Sequence, residues 1–304
     1  MRIFIIFLFA LLFNVAQTQA HSGDHKHADD SAHMIPIAIE QNKVKITEEG
    51  DYLFIESNGI PEHATGNFPN RENPNAISAQ RHRFRVTQTP NIADRVSTRV
   101  PVIGVALNGI PIEPGTAECY GQTKENRKVP VYDCMWREEA IVNGKGQLGL
   151  DWSNAHVQPG GVYHYHGIPN GLLHILPDDD LVHVGYAADG FKIYVSRSDK
   201  YNSSYRLKMG TRPSAPGGRF DGTYTQDFEF IYELGSLDEC NGMRINGEYG
   251  YFLTKRFPFA PRCLRGTVDE SFLRHKKYED PTKRLYHNRP TPHELGREHH
   301  KRRL

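Results

Sequence analysis

Apolar and polar residues alternate along KVKITEEGDYLFIESNGIP at residues 43–61, where an Asn-Gly turn at Asn58 and Gly59 closes the second run. Alternation with a period of two is typical of β-strands, because successive side chains of a strand point to opposite faces of its sheet. Helical periodicity is weak almost everywhere, and 27 Gly and 19 Pro residues divide the chain into short segments. The sequence therefore predicts a loop-rich all-β fold, either a sandwich or a distorted barrel.

Two pairs of segments in the chain resemble each other. IGVALNGIPI at residues 103–112 shares the pattern G-x-A-x-[ND]-G-x-x-I with VGYAADGFKI at residues 184–193, an offset of 81 residues. Downstream, GVYHYH at residues 161–166 has a counterpart in GEYGYF at residues 247–252, an offset of 86 residues. Because order and spacing are both kept, we predict two related halves that arose by internal duplication.

The first residues read MRIFIIFLFALLFNVAQTQA, with Arg2 before an apolar run and small residues before a cleavage point near Ala20. This pattern is typical of a secretory signal peptide, and no later stretch is long and apolar enough for a membrane span. The sequence therefore predicts a secreted or periplasmic protein. The expected segments are a signal peptide (1–20), a His-rich mobile arm (21–42), a β domain (43–268) and a basic polar tail (269–304).

The predicted arm carries four histidines among small and acidic residues, a composition that cannot build a packed core. Either the arm captures metal ions, or it is a solvated leader that happens to be rich in histidine. Both interpretations stay open at this point. The four residues are His21, His25, His27 and His33.

Four cysteines form an even set, and export favours disulfide bonds between them. Three pairings are possible. We favour the local one, Cys119 with Cys134 and Cys240 with Cys263, because each pair brackets a loop-rich segment. A zinc site built from these cysteines is disfavoured, since the chain has no CxxC-type spacing.

The charge balance and the missing motifs narrow the function classes. The chain has 37 Lys and Arg residues against 36 Asp and Glu residues, so its net charge of +1 gives no reason to expect nucleic acid as a partner. The signatures of common hydrolases, nucleotide-binding proteins and HExxH metalloproteases are absent. The run Asp178–Asp180 could bind calcium, although acidic runs in loops are usually only solvated.

The segment GVYHYHG places two histidines in alternation with two tyrosines. On a strand, His164 and His166 would share one face, while Tyr163 and Tyr165 would pack on the other. His156 precedes the turn-forming QPGG at residues 158–161, so a hairpin would return it, or Asn154, to the same face. We therefore expect His164, His166 and His156 to bind copper or zinc, with ring nitrogens within about 4 Å of one another.

Further histidines lie near this segment or in the first half of the chain, and they are additional candidate ligands: His63, His174 and His183. A metal-bound imidazole usually donates its second nitrogen to an acceptor outside the coordination shell. The candidate acceptors are Asp151, Asp178 and Asp189. We expect the two tyrosines to serve in packing, with their hydroxyls hydrogen-bonded at the rim.

Six separated motifs follow one another along residues 45–267: GIPEHATGNFPNRENPN, VALNGIPIEPGTAE, LDWSNAHVQPGGVYHYHGIPNGLL, VGYAADGFKIY, DGTYTQDFEFIYELGSLDECNG and FPFAPRCLRGT. In this order they resemble the YHYH-domain family of secreted proteins. The resemblance implies an exported β domain of this family, and it implies no particular chemistry. Members often carry a second tyrosine-histidine motif near the C-terminal end, where this chain reads EYGYFLT.

Three function classes follow from the sequence. The favoured one is an exported protein that binds a transition metal through its strand histidines. The first alternative is a metal-dependent hydrolase or oxidase at the same site, and the second is a structural or recognition domain in which the motif is architectural. The sequence does not identify a substrate or a protein partner.

Overall fold

The computed structural model describes residues 40–122, 133–198 and 200–273. Short strands dominate this part of the chain, which confirms the predicted loop-rich all-β fold. The predicted signal peptide, its cleavage near Ala20, nearly all of the His-rich arm and most of the basic tail lie outside the described residues. Among the described residues, no helix combines the length and the hydropathy needed to cross a membrane.

An eight-stranded sheet forms the centre of the fold. In chain order its strands are β5 (Gly104–Ala106), β6 (Pro111–Ile112), β9 (Ala155–Val157), β10 (Tyr163–Tyr165), β11 (Leu181–Ala187), β12 (Lys192–Ser196), β15 (Gly242–Ile245) and β16 (Glu248–Leu253). Across the sheet they lie in the order β15-β16-β12-β11-β5-β6-β10-β9. The sheet is open, ending at β15 and β9, so the fold is not a closed barrel.

The eight strands are arranged as two four-stranded halves with the same connections. In the first half β6 pairs with β5 antiparallel and with β10 in parallel, and β9 completes the half antiparallel to β10. Strands β12, β11, β16 and β15 repeat this pattern. The halves meet where Val105 of β5 faces Tyr186 of β11, two residues that are equivalent in the sequence repeat. The predicted internal duplication is therefore visible in the sheet.

The register of the two halves is also equivalent. Tyr165 lies opposite Ile112 in the first half, and Tyr251 lies opposite Ile193 in the second. These are the same repeat positions, since Tyr251 follows Tyr165 by 86 residues and Ile193 follows Ile112 by 81 residues. The duplication has kept the strand pairing residue by residue.

Each half contains a buried tyrosine that donates a hydrogen bond to an aspartate before the outer strand. The Tyr163 hydroxyl donates to Asp151 at 2.7 Å, and the Tyr249 hydroxyl donates to Asp238 at 2.8 Å. The two aspartates belong to a further repeat, LDWSN at 150–154 and LDECN at 237–241, which was not recognised in the sequence comparison above. The inner tyrosines behave in the same way, because Tyr165 and Tyr251 bond to residues at equivalent positions in the two hairpins.

A second sheet packs on the first and shares one hydrophobic core with it. It contains β1 (Val44–Glu49), β2 (Tyr52–Ser57) and β3 (His82–Thr87), all antiparallel. Leu53, Ile55, Phe84 and Val86 of this sheet are buried against residues of the larger sheet. The arrangement corresponds to the sandwich alternative of the predicted fold.

The remaining elements are short and lie outside these two sheets. Three two-stranded sheets pair β4 (Ile92–Ser97) with β17 (Leu264–Gly266), β7 (Ile141–Val142) with β8 (Lys145–Gly146), and β13 (Tyr205–Leu207) with β14 (Phe228–Phe230). Among the described residues, the helical elements include α1 (Asn170–Ile175) and two single 3-10 turns at Thr225–Asp227 and Glu270–Phe272.

Both predicted disulfide bonds are present. Cys119 bonds to Cys134 with a Cα–Cα distance of 6.0 Å, and Cys240 bonds to Cys263 with a distance of 4.9 Å. The second bond ties the segment before β15 to the segment before β17, and both of its cysteines are buried. It therefore joins two stretches of the second half that have no regular strand pairing with each other.

We predict that replacing Cys240 and Cys263 together by serine lowers the free energy of unfolding by about 2–5 kcal/mol, because the unfolded chain regains the entropy of an open loop. Chemical denaturation followed by tryptophan fluorescence measures the change. The double serine variant of Cys119 and Cys134, which opens a shorter loop, serves as the comparison. An unchanged unfolding midpoint in the Cys240 and Cys263 variant would contradict the prediction.

Candidate metal centre

Strand β10 separates its tyrosines from the histidines beside them. Tyr163 and Tyr165 are fully buried in the core, and their hydroxyls find partners inside the protein rather than at its rim. His164 and His166, which directly follows the strand, are only 2% exposed. Their rings meet, with 3.0 Å between the two Nε2 atoms, so the two histidines share a face of the sheet.

A tight hairpin returns His156 to the same face. Gln158 and Val162 close the turn, with the Gln158 backbone N–H donating to the Val162 carbonyl at 2.9 Å. Gly160 and Gly161 adopt positive φ angles of 105° and 84° in this turn, a conformation that favours glycine. In the resulting register His156 lies directly opposite His164.

The three imidazoles converge through their Nε2 atoms. The Nε2 atom of His166 lies 3.0 Å from that of His164 and 3.1 Å from that of His156. One ligand nitrogen from each ring falls within 4.8 Å of the other two. Within the described part of the chain, no other three His, Cys, Asp or Glu residues converge in this way.

The outer nitrogens of two rings set the protonation of the inner ones. The His156 Nδ1–H donates to the Leu148 carbonyl at 2.9 Å, and the His164 Nδ1–H donates to the Val162 carbonyl at 3.3 Å. A carbonyl oxygen can only accept, so each neutral ring turns an Nε2 lone pair towards the cluster. His166 can donate an Nε2 proton to one of these two lone pairs. The second lone pair then has no hydrogen-bond donor within the cluster.

A metal ion would satisfy all three nitrogens at once. Tetrahedral zinc holds imidazole nitrogens at about 2.0–2.1 Å, which places ligand nitrogens about 3.3 Å apart. Two of the three separations, at 3.0 and 3.1 Å, need only a small expansion, and the third pair of ligand nitrogens lies within 4.8 Å. The Nδ1 atom of His166, which carries the ring proton when Nε2 binds a metal ion, is buried without a hydrogen-bond partner among the described residues, unlike Nδ1 of the other two rings.

Burial keeps two of these rings neutral at neutral pH. It lowers the pKa of His166 well below the usual value of 6.5, and the neighbouring imidazoles His164 and His156 lower it further. The pKa of His156 is also lowered, again mainly by burial. Because only a neutral imidazole can bind a metal ion, these two rings do not need to lose protons first at neutral pH.

The other three candidate histidines do not join the cluster. His63 lies on the core side, where its Nδ1–H donates to the Ala64 carbonyl at 2.8 Å and its Nε2 accepts from the Tyr165 hydroxyl at 2.6 Å. His174 is exposed on helix α1. His183 donates from Nε2 to the Gly185 carbonyl at 2.9 Å.

The candidate acidic acceptors also have other partners. Asp151 accepts from Tyr163, Asp178 pairs with Arg197 at 3.3 Å, and Asp189 accepts from Tyr251 at 2.6 Å. The carbonyls of Leu148 and Val162 take the role that was predicted for these carboxylates. Asn154 likewise turns its side chain to the Ile168 carbonyl, away from the cluster.

The second half builds the same strand pair without a single histidine. Met243 lies opposite Gly250 as His156 lies opposite His164, and Phe252 occupies the position of His166. A Cβ atom added at Gly250 would lie only 2.8 Å from the Tyr194 ring, so the space is taken by an aromatic side chain. The fold therefore does not require imidazoles at these three positions.

The structure adds residues to this face that the sequence had not singled out. Gln158 donates from Nε2 to Glu113 Oε2 at 2.6 Å, and Glu113 is buried. Gln158 could have been predicted from the sequence, because it lies two positions after His156 and residues two apart on a strand share a face. Leu148 carried no signal, because its role depends on a backbone φ of +56° that turns its carbonyl towards His156.

We predict that the metal-free protein loses stability as the pH falls below about 6.5. In the unfolded chain His166 binds a proton near its ordinary pKa, while the folded state resists protonation, so acid favours unfolding by up to about 1.4 kcal/mol per pH unit for this group. His166→Phe should flatten the decline, and Phe252 in the second half shows that the strand tolerates this side chain. Urea unfolding between pH 5 and pH 7.5 provides the measurement, and equal slopes for both proteins would refute the prediction.

A family model matches most of the described part of the chain. That model, described as YHYH protein, matches residues 83–266, which include the whole eight-stranded sheet and the three clustered histidines. Neither a curated protein nor a solved structure matches the chain. Because the matched range covers more than half of the 304 residues, the chain belongs to the YHYH protein family.

Proposed function

We propose that this protein binds one transition-metal ion, copper or zinc, through the Nε2 atoms of His156, His164 and His166. The observation that carries the proposal is the convergence of three Nε2 atoms, two pairs of them at 3.0 and 3.1 Å, in a cluster where two rings have their Nδ1 protons committed to carbonyls. Three nitrogen ligands leave at least one coordination position for water or a further ligand.

The ligand atoms favour copper or zinc over the common hard cations. Imidazole suits zinc, copper, iron and nickel, whereas calcium and magnesium prefer carboxylate and carbonyl oxygens. No carboxylate belongs to the described cluster. The run at Asp178–Asp180 does not provide a comparable site, since Asp178 pairs with Arg197 and Asp180 accepts from the Ser198 backbone.

The comparison between the halves supports a functional role rather than an architectural one. The second half keeps the two buried tyrosines, which donate hydrogen bonds to Asp238 and Asp189. In place of the three histidines it carries Met243, Gly250 and Phe252. Burying three imidazoles in mutual contact costs free energy that an apolar replacement avoids. A bound cation offsets that cost.

We also propose that the protein acts outside the cytosol, as a secreted or periplasmic protein. Two disulfide bonds support this location, because they persist in oxidising compartments and are rare in the cytosol. The N-terminal sequence points the same way through its signal-peptide pattern. The His-rich arm that follows it is a separate potential source of metal ligands and must be removed in any test of the cluster.

We predict that a chain lacking residues 1–39 binds one equivalent of zinc or copper(II), and that His164→Ala or His166→Ala weakens binding at least about 100-fold. Loss of a direct ligand should weaken metal binding more than loss of a residue that only hydrogen-bonds to a ligand, which typically lowers the affinity about 10–100-fold. Isothermal titration calorimetry with each metal gives stoichiometry and affinity. The matched control is His174→Ala, which removes an exposed imidazole outside the cluster and should bind like the parent chain.

The same titration can contradict the proposal in two ways. If the parent chain binds neither metal, the histidines are architectural. If it binds a metal and both alanine variants keep its stoichiometry and affinity, the ion is held elsewhere. A fall in affinity for His174→Ala alone would likewise move the site away from the hairpin.

A further inference from the structure

Glu113 is a buried carboxyl group on the face that carries the three histidines. Its neighbour Ile112 lies opposite Tyr165 on the core face of the parallel β6–β10 pair. Side chains alternate along a strand, so Glu113 points to the opposite face, the one shared by His164 and His166. Its backbone N–H donates to the Tyr165 carbonyl at 2.9 Å, which fixes it beside β10.

A hydrogen bond holds this carboxyl group over the strand that provides two of the ligands. Gln158 extends from β9 on one side of β10, and Glu113 extends from the end of β6 on the other. Strands two positions apart are separated by about 10 Å, so the 2.6 Å contact between the two side chains must form above β10. Because Gln158 lies opposite Val162, the contact crosses β10 next to His164.

Glu113 is not itself one of the clustered ligands. The set of groups whose ligand atoms lie within 4.8 Å of one another contains the three histidines and no carboxylate. A carboxyl group on the same face but outside that set can act on a bound metal ion only through an intervening molecule. A water molecule is the natural occupant, since it can bind the ion through oxygen and donate a proton to the carboxylate.

The surroundings of Glu113 suit a group that accepts and releases protons. Burial raises its pKa to about 7, while the Gln158 hydrogen bond and the positive charge of Arg137 oppose the rise. His164 and His166 face it from β10, and the positive charges of Arg137 and Arg262 also act on His166. Arg262 is itself paired with Glu139 at 2.6 Å. Of these charged groups, Arg137 is the one that acts on the pKa of Glu113.

We propose that Glu113 is the catalytic base of a hydrolytic site, where it takes a proton from a water molecule held by the metal ion between the three histidines. The inference rests on the proposed metal binding and names the reaction class of the same site. It also commits to a carbonyl substrate, an ester or an amide, because phosphoryl transfer commonly uses two metal ions and the described residues form one cluster.

The proton balance of the reaction closes without a further reactant. One O–H bond of the water breaks, and its proton moves to Oε1 of Glu113, since Oε2 accepts from Gln158. The remaining hydroxide attacks the carbonyl carbon and forms a new C–O bond. When the tetrahedral intermediate breaks its bond to the leaving group, Glu113 returns the proton to that group, and the metal ion is neither oxidised nor reduced.

The test uses the chain lacking residues 1–39, so that the His-rich arm cannot bind the metal, loaded with cobalt(II), whose visible absorption reports ionisation of a bound water. In the wild type we expect a spectral change with a midpoint near neutral pH and slow hydrolysis of 4-nitrophenyl acetate. Glu113→Gln should raise the midpoint by at least one pH unit and lower kcat/KM about 10²–10⁴-fold at pH 7. Cobalt(II) affinity at the hairpin should change less than tenfold, because Glu113 is not a ligand.

Two further variants keep the test decisive. Glu138→Gln also neutralises a partly buried carboxyl group whose pKa is raised, and it should leave the midpoint and the rate unchanged. Glu113→Asp keeps the carboxylate and should retain more activity than Glu113→Gln. If the glutamine variant does not fold, the aspartate variant still reports whether displacing the carboxylate changes the midpoint and the rate. Equal midpoints and rates for wild type and Glu113→Gln would overturn the assignment of the base.

The outcomes separate the two proposals. If wild-type protein binds no cobalt(II), copper or zinc at the hairpin, the metal site and the base fall together. If the metal binds but Glu113→Gln behaves like wild type, only the catalytic base is refuted. Faster turnover of 4-nitrophenyl phosphate than of the acetate would overturn the carbonyl substrate class.

Discussion

The buried hydroxyl groups of Tyr163 and Tyr165 hold the strand on which the candidate site depends. Tyr163 donates to Asp151 at 2.7 Å, and Tyr165 donates to His63 while accepting from Asn108 at 2.9 Å. A shift of one residue in register would move both tyrosines out of the core and leave their partners buried without hydrogen bonds. The face on which the histidines appear is therefore determined by the hydrogen bonds made on the opposite face.

The duplicated half shows that this anchoring and the candidate chemistry are separable. Tyr249 and Tyr251 keep hydrogen bonds to Asp238 and Asp189, so the second hairpin is built in the same way on the core face of the sheet. On the opposite face the two halves differ, with imidazoles in one and Met243, Gly250 and Phe252 in the other. One copy of a strand pair can thus serve as support, while the other carries a buried cluster of three imidazoles.

Much of the fold could be predicted from local patterns in the sequence. Period-two alternation predicted the strands, the spacing of the cysteines favoured the correct disulfide pairs, and two matching segments predicted related halves. The hairpin closed by QPGG returned His156, one of the two residues expected there, to the face of His164. These features depend on residues that are close in sequence or on direct repetition.

The remaining features depend on contacts that no local pattern encodes. His63, His174 and His183 are excluded from the cluster by where the chain carries them, which spacing alone does not determine. The acceptor for His156 is a carbonyl presented by an unusual backbone angle at Leu148, so it has no side-chain signature. Glu113 meets Gln158 only because β6 joins β10 in parallel, a pairing between segments about fifty residues apart.

The compactness of the hairpin in sequence has a consequence for how metal binding and folding are linked. All three histidines fall between residues 156 and 166, so even an extended chain keeps them within about 35 Å of one another. The unfolded protein would then retain measurable affinity for the same ion, and ligand stabilisation depends on the ratio of the affinities of the two states. A tightly bound ion at this site would raise the unfolding temperature less than its affinity suggests, and the chain could acquire the ion before its sheets are assembled.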